Sequence, residues 1–303
     1  MALKKLAGIL LIGVVLFTLE QSASAGTLTF NETLSAQGGS VLPISLTRRL
    51  HLDSSAAVIV DQSTGNILYG KNMREECPIA SITKLMTAMV TLDSKQSLDQ
   101  KLVVTEADVD TLRHSMSRLP VGTVLSRREM LQLALMSSEN RAASALSRNY
   151  PGGLPAFVNA MNRKARELGM WHSHFVEGTG LNDQDISTPE DLAKMVNAAY
   201  HYALIRKITT TSTYRVNYAP HRYLNYLNSD VLVRRDPFPI GLSKTGFINE
   251  AGHCLVIQTR IYNHPVIMVF LNSWGEYTRV GDVIRARRWL EAIHWPRVMT
   301  TEG

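Results

Sequence analysis

Strand-like texture sits at the two ends of the body of this 303-residue chain and leaves the middle to helices, and that division limits the folds open to it. Residues 56–60 form a run rich in β-branched side chains, 61–65 supply turn residues and 66–69 resume as a strand, which together describe a hairpin. Far downstream, 238–244, 253–262 and 265–271 again read as strands. Their connections, at 246–252 and 263–264, are short enough for antiparallel neighbours. Between the two groups, 127–136 is apolar nearly all round, as a buried helix would be. Further helices are expected at 155–168 and 188–203, the second opened by Ser187-Thr188-Pro189-Glu190, and a last helix over about 279–294. The simplest assembly is α+β: one five-stranded antiparallel sheet built from both chain ends, flanked by helices as a three-layer α/β/α stack, with an all-helical lobe inserted. The sheet layer and its flanking helices draw on 54–94 and 236–297, and the lobe on 95–235.

The start of the chain reads differently. Lys4 and Lys5 precede an apolar run over 6–19 and the small-residue ending Ala23-Ser24-Ala25, the pattern of a cleavable signal peptide over 1–25. Residues 26–53 then read as a linker, and the folded domain is expected over 54–297. Export implies a periplasmic location. Removing the signal takes away two lysines and one glutamate, so the formal charge falls from +6 to +5. That mild basicity suits an anionic polymer or surface, but Lys and Arg are scattered, and no nucleic-acid motif is present, so a nucleic-acid partner is not expected. Cys77 and Cys254 are expected as buried free thiols, because a chain this long can bury a sufficient core without a disulfide. The last helix carries Arg285, Arg287, Arg288, Trp289 and Trp295, a composition that would suit a membrane interface. Val283, Ala286, Trp289, Leu290 and Ile293 equally form a stripe that can cover a sheet, which is the expectation here. Peripheral association with membrane or cell wall is left open.

Three short motifs carry chemistry. Ser81-Ile82-Thr83-Lys84 places a hydroxyl and an amine one helical turn apart, on one face of a helix that Leu85 continues. Ser81 then falls near a helix N-terminus, where developing negative charge is favoured. Alone, the pair would pass for a capping serine and a solvated lysine. Ser138-Glu139-Asn140 follows the buried helix directly, so a hydroxyl and an amide two residues apart leave the lobe interior together. Lys244-Thr245-Gly246 ends the strand begun near Phe238; Lys244 and Gly246 share a face, and glycine would let a substrate backbone lie against the strand edge.

In this order, and on these carriers, the three motifs resemble the active-site set of penicillin-binding proteins and serine β-lactamases. The stretches 78–89, 133–143, 175–181, 244–247 and 251–254 look most like the low-molecular-mass D,D-peptidases, and in particular the penicillin-binding protein type 7 family of D-alanyl-D-alanine endopeptidases. The likeness spans about 54–289. One departure is Gly178, where relatives usually carry proline, which puts the rigidity of that loop in doubt.

The resemblance implies a catalytic set. Ser81 would be the nucleophile, Lys84 the general base with its pKa lowered by burial and by Lys244, and Ser138 a proton relay. Asn140 would hold a substrate amide or position Lys84, while Lys244 and Thr245 would bind the carboxylate beside the scissile bond. Gly246 would border the substrate, and the N–H groups of Ser81 and Phe247 would form the oxyanion hole. Peptidoglycan stem peptides would be substrates and β-lactam antibiotics covalent inhibitors, and no metal or cofactor is needed. Cleavage of D-alanyl-diaminopimelate cross-links is the main expectation, with D-alanyl-D-alanine carboxypeptidase, serine β-lactamase and a non-catalytic penicillin sensor as alternatives. Against a class A β-lactamase, no Glu-x-x-x-Asn deacylation pattern is found: Glu177 and Asn182 are five apart, and Glu190 is followed four places on by Lys194.

Overall fold

The computed structural model describes residues 50–296. The expected signal segment and most of the expected linker lie outside them. In chain order come β1 (Ala56–Asp61), β2 (Ile67–Lys71), β3 (Cys77–Pro78), α1 (Thr83–Asp93), β4 (Lys101–Val103) and β5 (Val124–Ser126). Next are α2 (Arg127–Met136), α3 (Asn140–Arg148), α4 (Gly153–Glu167), β6 (Ile186–Ser187), α5 (Pro189–Tyr200) and α6 (Ala203–Thr209). The chain then returns through β7 (Thr213–Ala219), β8 (Arg222–Leu227), α7 (Val231–Arg235), β9 (Ile240–Ile248), β10 (Gly252–Ile261), β11 (His264–Ser273) and α8 (Glu276–Ala292).

A period of two organises the main sheet. Ala57 and Ile59 of β1, Leu255 and Ile257 of β10, and Met268 and Phe270 of β11 pack with Val283, Ala286, Trp289 and Leu290 of α8. The intervening residues Ala56, Val58, Cys254, Val256, Ile267 and Val269 join the core shared with the helical lobe. Strands buried on both faces read as continuous apolar runs, which is why they stood out in the sequence. The sheet order is β2-β1-β11-β10-β9, every neighbour antiparallel. Pairing of β1 with β11, from Ala56 opposite Leu271 to Asp61 opposite Val266, joins the start of the domain to its end.

The stripe on α8 covers the sheet as expected. Asp282, fully buried, accepts hydrogen bonds from the backbone N–H of Asp53 at 2.9 Å and of Ser54 at 2.8 Å, tying the approach to β1 onto α8. Among the described residues no helix is long and apolar enough to cross a membrane. Cys77 and Cys254 are both free, but only Cys254 is buried as expected; Cys77, in the two-residue strand β3, is half-buried.

Several local expectations need correction. Ser138-Glu139-Asn140 does not simply leave the lobe interior, because Asn140 begins a second helix, α3, and Glu139 caps it, its side chain accepting from the Arg141 N–H. The strand at 238–244 starts at Ile240 and runs on to Ile248, so Lys244-Thr245-Gly246 lies in mid-strand. Pairing of Gly246 with Cys254, Phe247 with His253 and Ile248 with Gly252 carries it past the glycine. The short pair β4–β5 was not foreseen, since three-residue strands are too brief to display alternation. Helix α2 had a further signal: Ser126 and Glu129 form a reciprocal capping box at its start.

Candidate active site

Ser81 sits in a single 3-10 turn, Ala80–Ile82, immediately before α1. The α-helix itself begins at Thr83, two residues later than a helix headed by Ser81 would. Ala80 is held at φ +48°, in the left-handed region. A backbone strained in this way beside a reactive group survives only where its surroundings fix it.

Lys84, in the first turn of α1, is fully buried. Its Nζ donates to Ser81 Oγ at 2.7 Å and to Asn140 Oδ1 at 2.8 Å, and also to the carbonyl oxygen of Thr179. Three acceptors match the three protons of an ammonium. Two of them, the amide oxygen and the peptide oxygen, can only accept. The Ser81 hydroxyl alone can reverse its role and donate once Nζ loses a proton. Asn140 is oriented by its own Nδ2, which donates to Ser115 Oγ at 2.9 Å.

Burial lowers the Lys84 pKa from 10.5 to about 8, against the pull of the Glu177 and Glu139 carboxylates. Burial, one of the two causes expected, leads; the expected coupling to Lys244 is seen on Lys244 itself. Lys244, also buried, is itself pushed well below the usual lysine range, first by desolvation and then by Lys84 and Arg279. Carboxylates surround Lys84, whereas Lys244 faces two cations and the Asp230 carboxylate.

Ser138 follows α2 at φ +61°. Its Oγ accepts from Lys244 Nζ at 3.0 Å, which links the second motif to the third. Between Ser138 and Asn140, the nearly buried Glu139 carboxylate accepts from Ser117 Oγ and, at 3.4 Å, from the Tyr226 hydroxyl. A cleft of about 440 Å³ opens beside this turn, lined by Ser138, Asn140, Arg118, Tyr226 and Arg234 among others.

On the other wall, β9 is the edge strand of the sheet. Thr245 donates from Oγ1 to Ser229 Oγ at 2.6 Å, and Phe247, half exposed, stacks on His253 with ring centroids 4.4 Å apart. Gly246 has a different use from the one anticipated. A Cβ there would lie 3.0 Å from the Ile79 carbonyl oxygen and 3.2 Å from the Ser81 nitrogen, so glycine lets β9 approach the nucleophile turn itself. The strand is braced from behind by Arg279 of α8, buried, which donates to the carbonyl oxygens of Gly246 at 2.8 Å and Cys254 at 3.0 Å.

Sequence reasoning missed three contributors. Thr179 acts through a backbone oxygen, which leaves no side-chain signature. Glu177 shapes its loop by accepting from the N–H groups of Thr179, Gly180 and Leu181. The 105–123 segment, weak in periodic signal, delivers Ser115 to Asn140 and Ser117 to Glu139. Gly178 also finds its reason: a Cβ there would fall 2.0 Å from Ser147 Oγ. The loop is held instead by Thr87 Oγ1, which donates to the Gly178 oxygen at 2.7 Å.

An antiparallel sheet with an inserted helical lobe, and a serine and two buried lysines between them, is the arrangement of a serine hydrolase. The D-alanyl-D-alanine carboxypeptidase family model matches residues 45–275, and the chain belongs to this family of serine D,D-peptidases. It is 48% identical over 241 residues to a D-alanyl-D-alanine endopeptidase of Pseudomonas aeruginosa, covering 79% of this chain and 78% of that protein. Against the D-alanyl-D-alanine endopeptidase of Escherichia coli identity is 46% over 239 residues, covering 78% and 77%. The crystal structure of a Streptomyces DD-transpeptidase superposes with a TM-score of 0.75 at 26% identity, covering 80% of this chain and 98% of that one.

Proposed function

We propose that this chain is a periplasmic D-alanyl-D-alanine endopeptidase, exported by the segment 1–25, that opens D-alanyl-diaminopimelate cross-links in peptidoglycan. The observation that carries the reading is the environment of Lys84 Nζ, where the Ser81 hydroxyl is the one neighbour able to return a proton. Neutral Lys84 takes the proton from Ser81 Oγ as Oγ bonds to the D-alanyl carbonyl carbon. The N–H groups of Ser81 and Phe247 receive the oxyanion. On collapse the carbon–nitrogen bond breaks, and the leaving amine receives, by way of the Ser138 hydroxyl, the proton that Lys84 took from Ser81, which returns Lys84 to neutral; Ser138 is itself in contact with Lys244. Water then hydrolyses the ester and restores Ser81. Thr245 and Lys244 hold the carboxylate beside the scissile bond. A β-lactam acylates Ser81 by the same first step.

Terminal D-alanine release would use the same groups. The high identity to two proteins named endopeptidases favours the cross-link. Mass analysis of purified cross-linked muropeptides after incubation with the enzyme tests this. Monomers arising from dimers are expected; loss of terminal D-alanine alone would overturn the endopeptidase assignment.

A further inference from the structure

Arg113 joins three segments that meet beside the catalytic centre. It lies in the loop that also delivers Ser115 to Asn140. Its Nε donates to the carbonyl oxygen of Leu181, in the loop shaped by Glu177. Its Nη1 lies 2.8 Å from Oε2 of Glu250, in the turn between β9 and β10. Nη2 has no hydrogen-bond partner among the described residues.

The position of Glu250 along the substrate follows from β9. With the carboxylate beside the scissile bond assigned to Lys244 and Thr245, and the oxyanion to Phe247, the acyl side of the substrate runs onward from Phe247 toward the β9–β10 turn. β9 ends at Ile248, one strand step of about 3.3 Å beyond Phe247, and Glu250 sits in the tight turn that follows, which the Ala251 N–H closes by donating to the Ile248 carbonyl oxygen at 3.2 Å. The Arg113–Glu250 pair therefore stands just past the end of β9, on the acyl side of the scissile carbonyl. It is also easily exchanged. Glu250 is 43% exposed, and an exposed ion pair contributes little. Arg113, by contrast, stays anchored to Leu181 if Glu250 leaves, presenting Nη1 and Nη2 as a planar fork for a carboxylate.

We propose that Arg113 is the subsite for a carboxylate on the donor stem peptide, on the acyl side of the scissile bond, and that Glu250 occupies the guanidinium until substrate displaces it. This rests on the orientation of substrate in the proposed function. Binding rather than turnover tests it, so that the two can fail separately. Calorimetry would use the folded Ser81→Ala protein and two soluble D-alanyl stem peptides, one with free donor carboxylates and one with them amidated. Tighter binding of the free acid, by about tenfold, is expected. Adding Arg113→Gln should make the two affinities equal, and adding Glu250→Gln should widen the preference by removing the internal competitor. An unchanged preference in the Arg113→Gln protein, or no preference in Ser81→Ala alone, would overturn the proposal. Equal weakening of both peptides would reduce Arg113 to a structural brace and overturn it too. If muropeptide dimers proved not to be cleaved, the endopeptidase assignment would fall while these affinities would still report on Arg113.

Discussion

At the scale of single residues, the proposed base Lys84 sets the pH dependence to expect. With its pKa near 8, about a tenth of the molecules hold it neutral at pH 7. Because the base must be neutral to accept the Ser81 proton, acylation by a labelled penicillin should accelerate as pH rises, with a midpoint about 8; a rate constant flat from pH 6 to 9 would remove Lys84 as the base. The same shift destabilises the fold. A drop from 10.5 to about 8 disfavours the native state by on the order of 3 kcal/mol, a penalty full below pH 8 and gone above 10.5, where the unfolded lysine is neutral too. Lys84→Met should therefore raise the Tm at pH 7, by an amount that shrinks toward pH 10.5. A lower Tm at pH 7 would show instead that the three hydrogen bonds outweigh burial. The serine–lysine pair was legible because three-residue spacing on a helix is a side-chain pattern. Its third partner was not, since the Thr179 oxygen belongs to the backbone and is brought in by a loop 95 residues away.

Among elements, the decisive contact is between the Ser81 turn and the two segments that press on it. Gly180 has φ +76°, and a Cβ there would stand 2.0 Å from the Ala80 carbonyl oxygen. Gly180→Ala should cost about 2–4 kcal/mol, read by urea unfolding, and any protein that folds should label far more slowly with penicillin. Wild-type stability and labelling together would contradict this packing. The turn carrying Ser138 is a second case. Glu139 ties it to Ser117 and Tyr226, so Glu139→Ala should slow acylation by roughly ten- to a hundredfold, the loss expected when a supporting contact is removed. An acylation rate within twofold of wild type would show that Ser138 keeps its position unaided. The strands and the main helices of this frame were legible from period and propensity. The extension of β9 beyond Gly246 was not, because Arg279, a distant residue on α8, holds the carbonyl oxygens there.

For the whole molecule, the sheet is closed by the chain's own ends, and buried polar contacts fix the closure. Asp282 collects the N–H groups of Asp53 and Ser54 and the Ser54 hydroxyl. Asp282→Ala leaves the two N–H donors unpaired, the Ser54 hydroxyl keeping Ser273 Oγ at 2.6 Å, and should lower stability by about 2–4 kcal/mol in urea unfolding. Native-like stability would mean that the approach to β1 contributes little. The two-ended sheet was visible in the sequence because buried strands announce themselves as β-branched runs. The site between sheet and lobe needed three motifs separated by more than fifty residues to be brought together, and only the fold does that.

Peptide mapping by mass spectrometry after reaction with a penicillin tests whether Ser81 forms the acyl-enzyme. The expected result is one covalent adduct on the peptide containing Ser81, absent from a folded Ser81→Ala protein. An adduct that persists in that variant, or that maps to Ser138, would contradict the account.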